Sequence, residues 1–89
     1  MSIKLIIPTY LQPYTDNRET ADVKGSTIAE CLNILIKQHP AIEKMLFNNG
    51  KIHSYIGIFI NGEDAYPDIL TRLTRDGDEI HVIYIIEGG

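Results

Sequence analysis

Asp76-Gly77-Asp78-Glu79-Ile80-His81-Val82-Ile83-Tyr84-Ile85-Ile86-Glu87-Gly88-Gly89 closes the sequence, and its reading decides the rest. Asp76-Gly77-Asp78 is turn chemistry. Residues 80–86 are a β-branched and aromatic run, the pattern of a strand. Glu87-Gly88-Gly89 is left as a free end. At average glycine usage two terminal glycines arise by chance in about 0.5% of chains, and a domain cut at a glycine-rich boundary leaves the same pair. The context raises its meaning, because the pair follows a strand rather than a linker and so projects from a rigid body. Residues 87–89 extended reach about 10 Å. Without Cβ atoms, Gly88 and Gly89 can thread a narrow channel, which suits a terminal carboxylate presented inside another protein's active site.

Working outward, Ile3-Lys4-Leu5-Ile6-Ile7 reads as a strand stopped by Pro8, which has no N–H for a ladder. Residues 10–19 form a polar connection containing Pro13 and the turn-prone pair Asp16-Asn17. Thr20-Ala21-Asp22-Val23-Lys24 alternates as a half-buried strand does. Thr27 and Glu30 form a capping box, and Ile28, Cys31, Leu32, Leu35 and Ile36 place one apolar stripe on the helix that follows. Pro40 ends that helix near His39. Ile42, Met45 and Leu46 indicate a second, shorter helical turn, ended by Asn49-Gly50. Residues 54–60 are β-rich, and Asn61-Gly62 is a hairpin signal with Ala65-Tyr66 as a stub of return strand before Pro67.

The order strand, strand, helix, strand, short strand, strand predicts an α+β domain. A mixed sheet of four to five strands, with one main helix on one face, buries the single stripe economically. The β-grasp (ubiquitin-like) fold has this order, with its first and last strands parallel and central. The 89 residues allow one domain, 1–89, with 87–89 as a flexible tail. Hydrophobic residues at 44% and charged residues at 22% describe an ordinary globular chain. No apolar run has the roughly 20 residues of a membrane span, and no signal-peptide pattern opens the chain. One cysteine, Cys31, excludes an internal disulfide and suits the cytoplasm. The net charge of −4, with no basic stripe, argues against nucleic acid and for a positively charged protein surface as partner.

Catalytic constellations are missing from the sequence. His39, His53 and His81 have no Cys, His or acid at metal-ligand spacing. Cys31 lies on the core-facing stripe, where a buried and inert thiol is expected. Gly25 and Gly50 punctuate helices, and Gly62 and Gly77 serve turns, so no phosphate-binding loop remains. The reading is of a chain with no metal and no bound cofactor that is not itself an enzyme.

Several segments resemble the ThiS/MoaD-type sulfur carriers, a family related to ubiquitin: Ile7-Pro8-Thr9, the capped helix from Thr27, Gly50-Lys51, Phe59-Ile60-Asn61-Gly62-Glu63-Asp64, and Asp76-Gly77-Asp78-Glu79-Ile80 through to Gly88-Gly89. The Ile-Pro-Thr start, the long first connection and Gly50-Lys51 are most similar to carriers of the cysteine-biosynthesis type. Tyr84 stands where family members often have proline. The resemblance implies that an ATP-using, E1-like enzyme adenylates the Gly89 carboxylate. A persulfide or rhodanese-type donor then converts it to a thiocarboxylate, which gives its sulfur to an acceptor biosynthetic enzyme, with cysteine or homocysteine assembly as first expectation. Gly88 and Glu87 would thread the partner's channel.

The family pattern with strand alternation also implies a docking face. Ile80 and Val82 should face the helix beside Ile56, Ile58 and Ile60, leaving Phe59, His81, Ile83 and Ile85 on the opposite face as docking candidates. The alternative is that loop residues 10–14 cover that patch. Three other functions use the same features: a ubiquitin-like protein modifier, the small subunit of a molybdopterin synthase-like heteromer, and a β-grasp binding module with an incidental tail.

Overall fold

The computed structural model describes residues 2–85. Strands β1 (Ile3–Ile6) and β2 (Thr20–Val23) pair antiparallel, Ile3 opposite Val23 and Ile6 opposite Thr20. Ile3, Leu5, Ala21 and Val23 are buried, whereas Lys4 and Asp22 between them are exposed. The connection expected to be merely polar also contributes to the core. Thr9–Tyr14 is a 3-10 helix that buries Leu11. Thr15, also buried, donates its hydroxyl to the Gln12 and Arg18 carbonyls. Asp16 and Asn17 then take φ values of 54° and 61° to turn the chain into β2, a conformation these residues tolerate.

Helix α1 (Ile28–Gln38) begins at the predicted cap. Thr27 Oγ1 accepts from the Glu30 N–H at 3.2 Å, and Glu30 Oε1 accepts from the Ser26 N–H at 2.8 Å. The reciprocal bond thus falls one residue before the cap. The other first-turn donors also have partners: Ile28 N–H donates to the Arg72 carbonyl and Ala29 N–H to that of Leu70. Helix starts leave such donors unpaired unless something outside supplies acceptors, and the carbonyls of Leu70 and Arg72 do so. Gly25 is required here by space, since a Cβ would stand 2.9 Å from the Cys31 backbone nitrogen. The stripe lies as expected, with Ile28, Cys31, Leu32 and Leu35 fully buried and Ile36 packed partly against them.

After His39 the chain forms a 3-10 turn, Pro40–Ile42, and a short helix α2 (Glu43–Leu46). Asn49-Gly50 does not cap this helix. With φ of 54° and 79° it is the two-residue turn of a small hairpin between β3 (Phe47–Asn48) and β4 (Lys51–Ile52). Positive φ at both central residues matches strand twist, so the pair reads equally well as helix end or hairpin until its neighbours are known. Asn61-Gly62 makes the same turn after β5 (Ile56–Ile60). A two-residue turn brings the return strand in at once, so β6 is Glu63–Asp64 rather than Ala65-Tyr66.

Strand β7 (Glu79–Tyr84) completes the sheet in the order β2-β1-β7-β5-β6. It runs parallel to β1, with Ile6 opposite His81, and antiparallel to β5, with Phe59 opposite His81. The expected first-and-last parallel pair is therefore central. The strand read as 80–86 starts at Glu79 and ends at Tyr84, although the Ile85 N–H still donates to the Tyr55 carbonyl at 2.7 Å. Ile86 lies outside the described residues. No helix of the described residues is long and apolar enough to cross a membrane.

Candidate functional site

Strand β7 determines what the domain offers at its carboxyl end. β1 pairs with it as far as His81 and β5 as far as Tyr84, so the last described residues continue from a central strand along β5. Glu87, Gly88 and Gly89, the residues expected to carry the chemistry and thread the partner, lie outside the described residues.

Alternation along β7 divides its side chains. Ile80 and Val82 are buried toward α1, together with Ile56, Ile58 and Ile60 of β5. His81 and Ile83 are half-buried on the other face, and Ile85 is 42% exposed. Phe59 lies half-buried opposite His81. The four docking candidates therefore share one face, where Phe59, Gly62, His81 and Ile83 line a shallow concavity of about 300 Å³. His81 Nε2 lies 3.6 Å from Glu79 Oε1, which gives the apolar patch one polar edge.

Residues 10–14 do not cover this face. Tyr10 packs edge-on to Tyr84, centroids 4.9 Å apart, and Tyr84 alternates with Ile83 onto the helix side.

Two residues of the face were not singled out from the sequence. Ile6 of β1 lies opposite His81 and is half-buried on the same side. Gly57 lies opposite Ile83, and a Cβ there would meet Ile83 Cγ1 at 2.9 Å and Ile85 Cδ1 at 3.0 Å. Ile83 and Ile85 thus lie across bare backbone, and the low floor at Gly57 shapes the patch. Gly57 inside a β-rich run was the signal that could have found it, since a strand glycine commonly marks a close approach.

Beneath the tail root lies a second cluster, also not predicted. Tyr10, Met45, Tyr55 and Tyr84 surround an apolar hollow of about 590 Å³. Burial, reinforced by the neighbouring phenols of Tyr55 and Tyr84, pushes the Tyr10 hydroxyl up to about 12.

The remaining candidates have structural roles. Cys31 is fully buried, and burial raises its thiol above the ordinary value, which disfavours the reactive thiolate. His53 stacks on Tyr55 at 4.7 Å with a ring nitrogen 3.0 Å from the Lys44 carbonyl. His39 lies 3.9 Å from Asp16. Among the described residues no group of three or more His, Cys, Asp or Glu could hold a metal ion.

A five-stranded mixed sheet gripping one helix, with its carboxyl strand at the centre, defines a ubiquitin-like β-grasp protein. The profile of the ThiS family matches residues 5–89, and the chain belongs to that family. It is similar to the sulfur carrier protein CysO of Mycobacterium tuberculosis, 27% identical over the whole of both chains. It is also similar to the small archaeal modifier protein 1 of Haloferax volcanii, 34% identical over 76% of this chain and 77% of that one. Among solved structures, a chain of the Amycolatopsis orientalis BexX/CysO complex superposes with a TM-score of 0.89 at 27% identity, covering 98% of this chain and 99% of that one.

Proposed function

We propose that this chain is a sulfur carrier whose cargo is a thiocarboxylate formed on Gly89. The observation that carries the reading is the central placement of β7, parallel to β1, in a chain of the ThiS family, so that the described chain ends on a rigid sheet at Ile85, four residues before Gly89. In the first step a carboxylate oxygen of Gly89 attacks the α-phosphorus of ATP and pyrophosphate leaves. The acyl-adenylate carries a good leaving group. A sulfide attacks the acyl carbon and expels AMP, leaving the thiocarboxylate. Where a protein persulfide attacks instead, a thiol must then cleave the acyl disulfide. The sulfur end is a softer nucleophile than the oxygen it replaces, so it can attack an activated small molecule.

ATP belongs to the activating enzyme, an E1-like partner that would sit on Phe59, His81, Ile83 and Ile85. Likeness to CysO across the whole chain supports an acceptor of the cysteine-forming kind. Likeness to the archaeal modifier supports a second reading, transfer of the same activated Gly89 to a lysine of another protein. Intact-mass measurement tests both. A chain ending at Gly89 is incubated with ATP, sulfide and the activating enzyme. Replacement of one oxygen by one sulfur on the free chain is expected, and its loss on removal of Gly88-Gly89. Covalent adducts with proteins and no sulfur-bearing free chain would overturn the carrier reading in favour of the modifier.

A further inference from the structure

The aromatic hollow at the tail root plays no part in the chemistry proposed above. Its rings are close but not stacked into a plug: Tyr10 meets Tyr84 edge-on at 4.9 Å, and Tyr55 meets Tyr84 tilted at 5.5 Å. Two observations separate it from ordinary core packing. The Tyr10 hydroxyl is buried without a hydrogen-bond partner among the described residues, which native structures rarely tolerate. Tyr84 is 48% exposed, so one wall opens to the outside.

Electron-rich ring faces attract cations, arginine most often. A guanidinium is planar and stacks on aromatic faces, so it suits the exposed Tyr84 side of the hollow. The charge of the chain agrees, since a net −4 steers it toward a positive surface. The hollow also adjoins the end of β7, where the Ile85 N–H donates to the carbonyl of Tyr55, one of its walls. A protein that takes hold of the chain just after Ile85 would approach beside it.

We propose that the Tyr10, Met45, Tyr55 and Tyr84 hollow is a docking pocket for an arginine side chain of the protein that takes the tail. The inference rests on the carrier reading for who the partner is, and not for what the pocket binds. The test uses the full chain with tyrosine rings and methionine and isoleucine methyls observed by NMR. Nα-acetyl-arginine amide and its uncharged analogue Nα-acetyl-citrulline amide are titrated separately. Saturable shifts at Met45, Tyr10 and Tyr84 are expected with the arginine compound. The citrulline compound should bind about two- to fivefold more weakly, the size of a cation–π contribution at an accessible site. Tyr84→Leu keeps an apolar side chain on the strand and should erase that difference, whereas Tyr10→Phe, which leaves every ring in place and removes only a buried hydroxyl, should preserve it.

Equal binding of the two compounds would make the hollow merely apolar and overturn the proposal. So would the absence of saturable shifts. Ring-current-shifted Ile86 methyls with contacts to Tyr84 in the free protein would assign the hollow to the chain's own end and overturn the proposal as well. None of these readouts needs ATP, sulfide or the activating enzyme. Failure here is therefore distinct from failure of the carrier reading, which the mass measurement reports.

Discussion

Gly57→Ala separates the shape of the proposed docking face from the stability of the domain. The added Cβ would stand 2.9 Å from Ile83 Cγ1, 3.0 Å from Ile85 Cδ1 and 3.1 Å from Ile83 Cδ1. Ordinary carbon contacts are about 3.5–4.0 Å, so both isoleucines must move outward by about 0.5 Å or more. Forcing them off their rotamers costs about 0.5–1.5 kcal/mol, and replacing glycine with alanine returns about 0.4–1 kcal/mol by restricting the unfolded chain. The two nearly cancel, so folding stability should change by less than about 1 kcal/mol, or about 4–8 °C in Tm. Docking has no such offset. The moved side chains are the ones proposed to touch the activating enzyme, and a misfit core contact of about 1.4 kcal/mol lowers apparent affinity about tenfold. Melting curves and the concentration dependence of ATP-driven pyrophosphate release measure the two effects. Adding Ile83→Ala to Gly57→Ala should give a non-additive stability effect, because the pair is in contact. A Gly57→Ala protein stabilised by about 1 kcal/mol or more and activated at wild-type concentration would refute the account of the patch.

Three further outcomes are expected. Ile83→Asp places a charge on the half-buried face; circular dichroism should show a folded domain, and pyrophosphate release with the activating enzyme should fall at least about tenfold if a core contact is lost. Thr27→Ala removes the acceptor for the Glu30 N–H and should cost about 1 kcal/mol in chemical unfolding, whereas Glu30→Gln, which can still accept from Ser26, should cost less. Burial, with the neighbouring Tyr55 and Tyr84, favours the neutral Tyr10 hydroxyl in the folded state and pushes it up to about 12. Its contribution to stability is therefore complete below the ordinary value near 10 and is lost as pH rises toward about 12; ultraviolet titration should show a late tyrosinate that Tyr10→Phe removes, and the variant should lose that part of the alkaline decline.

How much of this was legible depended on whether a residue acts through its neighbours in sequence or in space. The cap at Thr27, the stripe from Ile28 to Leu35 and the alternation of β7 depend on a few adjacent positions and folded as expected, except that Glu30 reaches back to Ser26 and not to the cap itself. They supported the order of elements, while the central last strand came from the likeness to the β-grasp fold, and the shared face of Phe59, His81, Ile83 and Ile85 from the family pattern together with alternation. Asn49-Gly50 failed because one dipeptide satisfies two structures, and only the later β4 decides between them. Thr9–Tyr14 was hidden for another reason: Leu11 is buried by distant packing, and no period in a short 3-10 segment announces it. The aromatic hollow was beyond sequence reading altogether, since Tyr10, Met45, Tyr55 and Tyr84 come from four separate segments. Gly57 lies between these cases. Its presence in a strand was visible, but only the register that sets it opposite Ile83 shows what the missing side chain makes room for. That register ties fold to function: the same pairing that holds the tail's strand in the centre of the sheet lays Ile83 and Ile85 down as the surface beside it.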